Sequence, residues 1–130
     1  MIVLDASVVV ELLLRTADAS RIEEQVFGGG DPLHAPHLLD VEVAHVIRRY
    51  AMAGELTESR AKESLNLLAT MPLARHPHTD MLSRIWALRS NLTAYDAAYV
   101  ALAEGLGARL LTRDARLARS QAHEARIELL

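Results

Sequence analysis

The chain has 130 residues, 51% of them hydrophobic, a net charge of −3 and no cysteine. A chain of this size and apolar content is expected to fold as one domain over residues 1–130 without covalent staples, and the missing cysteines exclude disulfide frameworks and cysteine zinc sites. No apolar run approaches the ~18 residues of a membrane span, and the start Met1-Ile2-Val3-Leu4-Asp5 carries no basic export leader, so a soluble, cytoplasmic protein with no membrane contact is expected.

The run Ile2-Val3-Leu4 is short, stops at Asp5 and passes at once into the apolar stretch 7–14, the pattern of a buried strand feeding a helix. A second helix is predicted over 17–27 and ends in Gly28-Gly29-Gly30; no lysine follows these glycines, so they do not form a phosphate loop. Leu33-His34-Ala35, bounded by Pro32 and Pro36, reads as a short strand. From 38 to about 53 the residues Leu39, Val43, Val46, Ile47 and Tyr50 recur at helical spacing, and the next helix, 57–69, opens on Thr57. Leu73-Ala74-Arg75-His76 between Pro72 and Pro77 is a strand, 78–91 a helix, and 93–106 a helix ended by Gly107. Arg109-Leu110-Leu111-Thr112 is the clearest late strand, followed by a short helix from Asp114 and a last strand, Arg126-Ile127-Glu128-Leu129. Short strands alternating with helices define an α/β protein with a parallel sheet covered by helices, whose ligands bind beyond the carboxyl ends of the strands. No linker, repeat or low-complexity stretch marks a second domain.

Four acids fall at places this architecture brings together. Asp5 and Asp114 each follow a strand of the sheet, although each precedes a helix and so also suits a capping role. Asp96 fits a capping box opened by Thr93, and its helical neighbours Leu92, Thr93, Tyr99 and Val100 include no cation. Glu42 is the most informative: it lies beside Leu38, Leu39 and Val46 on the apolar side of its helix, with only His45 near enough to supply charge. A carboxylate so placed carries a desolvation cost that proteins relieve with a partner or a metal. One metal site accounts for the whole set, and an oxygen-only cluster suits Mg²⁺ or Mn²⁺. Ser7, Thr93 and Thr112 are placed to orient these carboxylates or a bound water, a role that competes with plain capping.

Of the 14 basic residues 13 are arginine, the side chain whose planar fork suits phosphate, though a GC-rich genome explains the bias equally well. Arg113, Arg116 and Arg119, at helical spacing after the last acid, are candidate phosphate contacts or a solvated face. The spacing His34-Ala35-Pro36-His37, with His76 and His78 further on, resembles a zinc pattern but lacks a third ligand, so these histidines are read as loop or surface residues. A haloacid-dehalogenase-type phosphatase needs an Asp where the chain has Ser7, and a phosphoacceptor receiver domain needs a lysine after a late strand, whereas Lys62 lies in a predicted helix.

The ordered set Val3-Leu4-Asp5-Ala6-Ser7, Asp40-Val41-Glu42-Val43-Ala44, Leu92-Thr93-Ala94-Tyr95-Asp96-Ala97-Ala98-Tyr99 and Leu110-Leu111-Thr112-Arg113-Asp114 resembles the PIN-domain ribonucleases, particularly the VapC-type toxins of prokaryotic toxin–antitoxin pairs. The resemblance covers nearly the whole chain. It implies a PIN-like three-layer α/β fold, with a short, mostly parallel sheet flanked by helices, and Asp5, Glu42, Asp96 and Asp114 as catalytic metal-binding acids. It also implies Mg²⁺- or Mn²⁺-dependent RNA cleavage, homodimers, and inhibition by a cognate VapB-type antitoxin. A non-catalytic PIN-like module that binds RNA or protein is the rival reading. One departure is His45, where such toxins often carry Asn.

Overall fold

A computed structural model describes all residues, 1–130. Strand β1 (Ile2–Leu4) is buried throughout, and it runs between β2 (Leu33–Pro36) and β4 (Arg109–Thr112). With β3 (Leu73–His76) and β5 (Arg126–Leu129) outside them, the sheet has the order β3-β2-β1-β4-β5, and every pairing is parallel. A strand paired on both sides and covered on both faces tolerates only apolar side chains, which is why Ile2, Val3 and Leu4 are uninterrupted.

Helices α1 (Ala6–Leu14), α2 (Ala19–Phe27), α3 (Leu38–Met52) and α4 (Glu58–Thr70) pack on one another, while α6 (Ala94–Leu106) lies on β1, β2 and β4. Every residue of α6 from Ala97 to Ala103 is buried, four of them alanine. Thr93 caps this helix by accepting from the Asp96 amide at 3.2 Å, and Gly107 ends it in the left-handed region at φ 61°. A short α7 (Ala115–Ala118) connects β4 to β5.

The region expected to be one helix over 78–91 is instead a 3₁₀ turn, Thr79–Met81, followed by the short α5 (Leu82–Ala87). Two causes are visible. The His78 ring accepts from the amide of Leu38 at the start of α3, at 2.9 Å, which ties the residue before the 3₁₀ turn to another helix. Ser90 and Asn91, residues that compete for backbone hydrogen bonds, follow the last turn.

The histidine reading also needs correction. His34 and His76 sit on adjacent strands, partly buried, with Nδ1 of the first 2.9 Å from Nε2 of the second. Burial, then the charge of His76, pushes the His34 imidazole below its ordinary value. They join β2 to β3 and are neither loop nor surface residues.

Candidate active site

The register sets the site. Leu4 pairs with Leu111, and the ladder continues as the Asp5 amide donates to the Leu111 carbonyl at 3.0 Å, so Asp5 and Thr112 leave the sheet side by side. Asp5 occupies the N-cap position of α1, yet its side chain caps nothing. Its Oδ2 instead accepts from Ser7 Oγ at 2.6 Å and Thr112 Oγ1 at 2.8 Å, while Oδ1 has no hydrogen bond within the chain. Ser7 and Thr112 are tied in their turn, since Ser7 Oγ accepts from the Arg113 amide and Thr112 Oγ1 from the Asp114 amide. Asp5 is only 7% exposed, so this hydroxyl pair fixes the rotamer of a nearly buried carboxylate.

Glu42, half-buried on α3, finds a partner that its own helix does not provide. Tyr99 of α6, fully buried, donates its phenolic hydroxyl to Glu42 Oε1 at 3.0 Å and leaves Oε2 free. Burial raises the Glu42 carboxyl above its ordinary value, the Tyr99 hydrogen bond opposes that rise, and the charges of Asp5 and Asp96 add to it. The Tyr99 hydroxyl is itself pushed far up by burial and by Glu42. His45 is exposed and makes no bond to Glu42.

Asp96 also rises, through burial and then the charges of Asp5 and Asp114, against the attraction of Arg116. The expected capping box is only half formed: Thr93 caps the Asp96 amide, but the Thr93 amide makes no hydrogen bond to the Asp96 carboxylate. It faces Arg116, whose Nη2 stands 3.4 Å from Asp96 Oδ2 and 3.4 Å from Asp114 Oδ2. Asp114 does cap, accepting from the amides of Arg116 at 2.8 Å and Leu117 at 3.3 Å. Its carboxyl is held below the ordinary value: burial acts upward and is outweighed by these two amides and the Arg116 guanidinium.

All four predicted acids therefore lie in a chain of mutual electrostatic influence at the carboxyl edge of the sheet. As the side chains stand, no three acidic or histidine groups converge closely enough to enclose an ion. The donor set nevertheless suits a hard divalent cation: it is all oxygen, Asp5 Oδ1, Glu42 Oε2 and Asp96 Oδ1 accept no hydrogen bond, and the negative charge exceeds what one arginine balances.

The three arginines part company. Arg113 is committed to structure, bonding Asp18 and the Leu130 carbonyl at 2.9 Å each, and so fastens the end of β5. Arg116 is the internal partner of two site acids, and Arg119 is exposed without a partner. Sequence reasoning missed Tyr99 as the partner of Glu42 and Arg116 as the cation at Asp96; the one signal for Tyr99 was its place one turn after Asp96 on the same helix.

Residues 2–122 match the sequence profile of the PIN domain, and the chain belongs to that family. Its relatives include Ribonuclease VapC12 of Mycobacterium tuberculosis, 41% identical over 130 residues that span all of this chain and 99% of the relative. A VapC ribonuclease of Mycobacterium bovis is 39% identical over 117 residues, 90% of this chain and 88% of the relative. Among solved structures, VapBC2 from Rickettsia felis, bound to a DNA fragment from its promoter, superposes with a TM-score of 0.72 at 12% identity, covering 99% of this chain and 98% of that one. This last likeness is one of fold.

Proposed function

We propose that the chain is a divalent-metal-dependent endoribonuclease that hydrolyses RNA phosphodiesters as the toxin of a toxin–antitoxin pair. In this reading it works in the cytoplasm as a homodimer restrained by a VapB-type antitoxin. The observation that carries the reading is the gathering of Asp5, Glu42 and Asp96 from three separate elements into one field, with no cation nearby except the exposed Arg116. The full-length relatives named as ribonucleases support it. No helix is long and apolar enough to cross a membrane.

Asp5 Oδ1 and Asp96 Oδ1 are the oxygens offered to Mg²⁺ or Mn²⁺, with Asp114 at the margin. Such an ion, when bound, supplies neutralisation of phosphoryl charge and a more acidic water. Ser7 and Thr112 keep Asp5 aimed by holding its other oxygen, and Thr93 sets the start of the helix that carries Asp96. Tyr99 holds Glu42 so that Oε2 orients the attacking water and accepts its proton, a task matched by a carboxyl of raised proton affinity. Arg119 is free to contact phosphate.

The test is cleavage of total cellular RNA with added Mg²⁺ or Mn²⁺, with the new ends mapped, for the parent and for Asp5→Asn. A ligand loss is expected to lower the rate by at least about 100-fold, since outer supporting residues alone are worth about 10- to 100-fold. Equal cleavage by the variant, or activity that survives chelation, overturns the metal site. RNA binding without product at any divalent metal favours the non-catalytic module instead.

A further inference from the structure

One face of α3, formed by Val41, Glu42, His45, Val46 and Arg49, stands across from Tyr95 in the first turn of α6, and together they line a groove of about 450 Å³. Glu42 belongs to both the groove and the carboxylate cluster, and Tyr95 immediately precedes Asp96, so the groove opens directly from the site. Two of its apolar members are strongly exposed: Val41 at 73% and Tyr95 at 67%. Neither is needed by the core, which is complete without them. The exposed Arg49 has no acidic or carbonyl partner, so a cation and an aromatic ring flank one end of an acidic centre.

We propose that this groove is a nucleobase subsite, in which Tyr95 stacks on an unpaired base of single-stranded RNA next to the scissile phosphodiester and Arg49 contacts a neighbouring phosphate. The inference rests on the ribonuclease reading and adds to it where a base is gripped. Unstacked bases are commonly held on aromatic side chains, and arginine is the usual companion on the backbone. The volume is that of a small-molecule pocket, whereas a docked protein helix, ~10–12 Å across, needs a longer trough. The unpartnered arginine favours a polyanion over a neutral apolar segment. Val41 supplies an apolar contact for the base without reading its identity, so the groove selects for an unpaired nucleotide more than for a sequence.

The experiment uses the full chain with Mn²⁺ and a short single-stranded RNA mapped as a substrate of the parent protein, comparing Tyr95→Ala, Tyr95→Phe and Tyr95→Trp. Loss of one base stack raises KM for the Ala variant about 10-fold, with a smaller change in kcat. Phe and Trp restore KM, because stacking needs the ring and not the hydroxyl. An abasic nucleotide at one position beside the cut reproduces the defect in the parent and removes the difference between parent and Tyr95→Ala.

Unchanged KM for the Ala variant, or a defect equally large on every abasic substrate, overturns the subsite while leaving the ribonuclease reading intact. If the parent cuts no RNA, the ribonuclease reading falls first and the subsite with it. If Tyr95→Ala leaves KM unaltered and instead weakens self-association in sedimentation, the groove is a contact between copies of this chain and the proposal is wrong. Thermal melting of the three variants, whose side chains are exposed, checks that each is folded.

Discussion

Replacing Tyr99 by Phe isolates one atom of the site. The phenolic hydroxyl is the only donor to Glu42, at 3.0 Å, and Phe fills the same volume, so the change removes a hydrogen bond without opening a cavity. A hydrogen bond to a charged group contributes about 1.5–3 kcal/mol. Glu42 is only half-buried and water takes over part of the lost bond, so roughly 1 kcal/mol is the expected loss at neutral pH. The bond favours ionised Glu42, and about 1.4 kcal/mol corresponds to one pH unit. Tyr99→Phe therefore moves the acid limb of the cleavage profile upward by somewhat under one unit. The assay is denaturant unfolding of the metal-free parent, Tyr99→Phe, Glu42→Gln and the double variant at pH 4 and pH 8, run as a double-mutant cycle. The parent–Phe difference should grow from pH 4 to pH 8 as Glu42 ionises. A coupling below about 0.3 kcal/mol at pH 8, or one independent of pH, refutes the reasoning.

Three further outcomes are expected. Glu42 has a raised proton affinity in the folded chain, so the folded state keeps a proton the unfolded state has lost, and metal-free stability falls as pH rises above the ordinary carboxyl value of 4.5; Glu42→Gln flattens that decline in thermal melts at pH 4 to 8, and excess Mn²⁺ at about 100 times its Kd stabilises the parent by ~2.7 kcal/mol. Arg116→Ala frees Asp96 and Asp114, and since an exposed pair contributes ~0.2–1 kcal/mol, Mn²⁺ affinity by calorimetry rises by up to about fivefold; weaker binding shows that Arg116 does not compete with the metal. His34 has the opposite sign: its proton affinity is depressed on folding, so the unfolded chain gains a proton first and stability is lost as pH falls below the ordinary imidazole value of 6.5. His34→Asn removes that acid-side loss in melts at pH 5 to 7, and an unaltered slope shows that another group is responsible.

The order of elements was legible because the strands are short, apolar and punctuated by Pro or Asp, and because the helices keep a 3.6-residue rhythm. What could not be read was anything decided by distant packing. His78 binds the start of α3 through its ring, and His34 pairs with His76 across two strands 42 residues apart in sequence. The acids differed in the same way. Asp5 carried a sound capping explanation on sequence grounds, and only the neighbouring strand, by supplying Thr112, shows its carboxylate turned elsewhere. For Asp114 the capping explanation holds. Glu42 was expected to lack a partner on its own helix, which is so; the neutral donor 57 residues away was beyond reach of any local pattern.

Arg116 gives the site a further property. Small domains built around a structural ion remain unfolded until the ion arrives, because the binding free energy of the ion is part of their folding free energy. Here the chain carries a guanidinium on a flexible, 73% exposed side chain that rests between two of the acids. Part of the repulsion between Asp96 and Asp114 is thereby met from within. Under the proposed reading, the chain is expected to fold without magnesium or manganese, and the ion to govern readiness for chemistry and not the existence of the folded molecule.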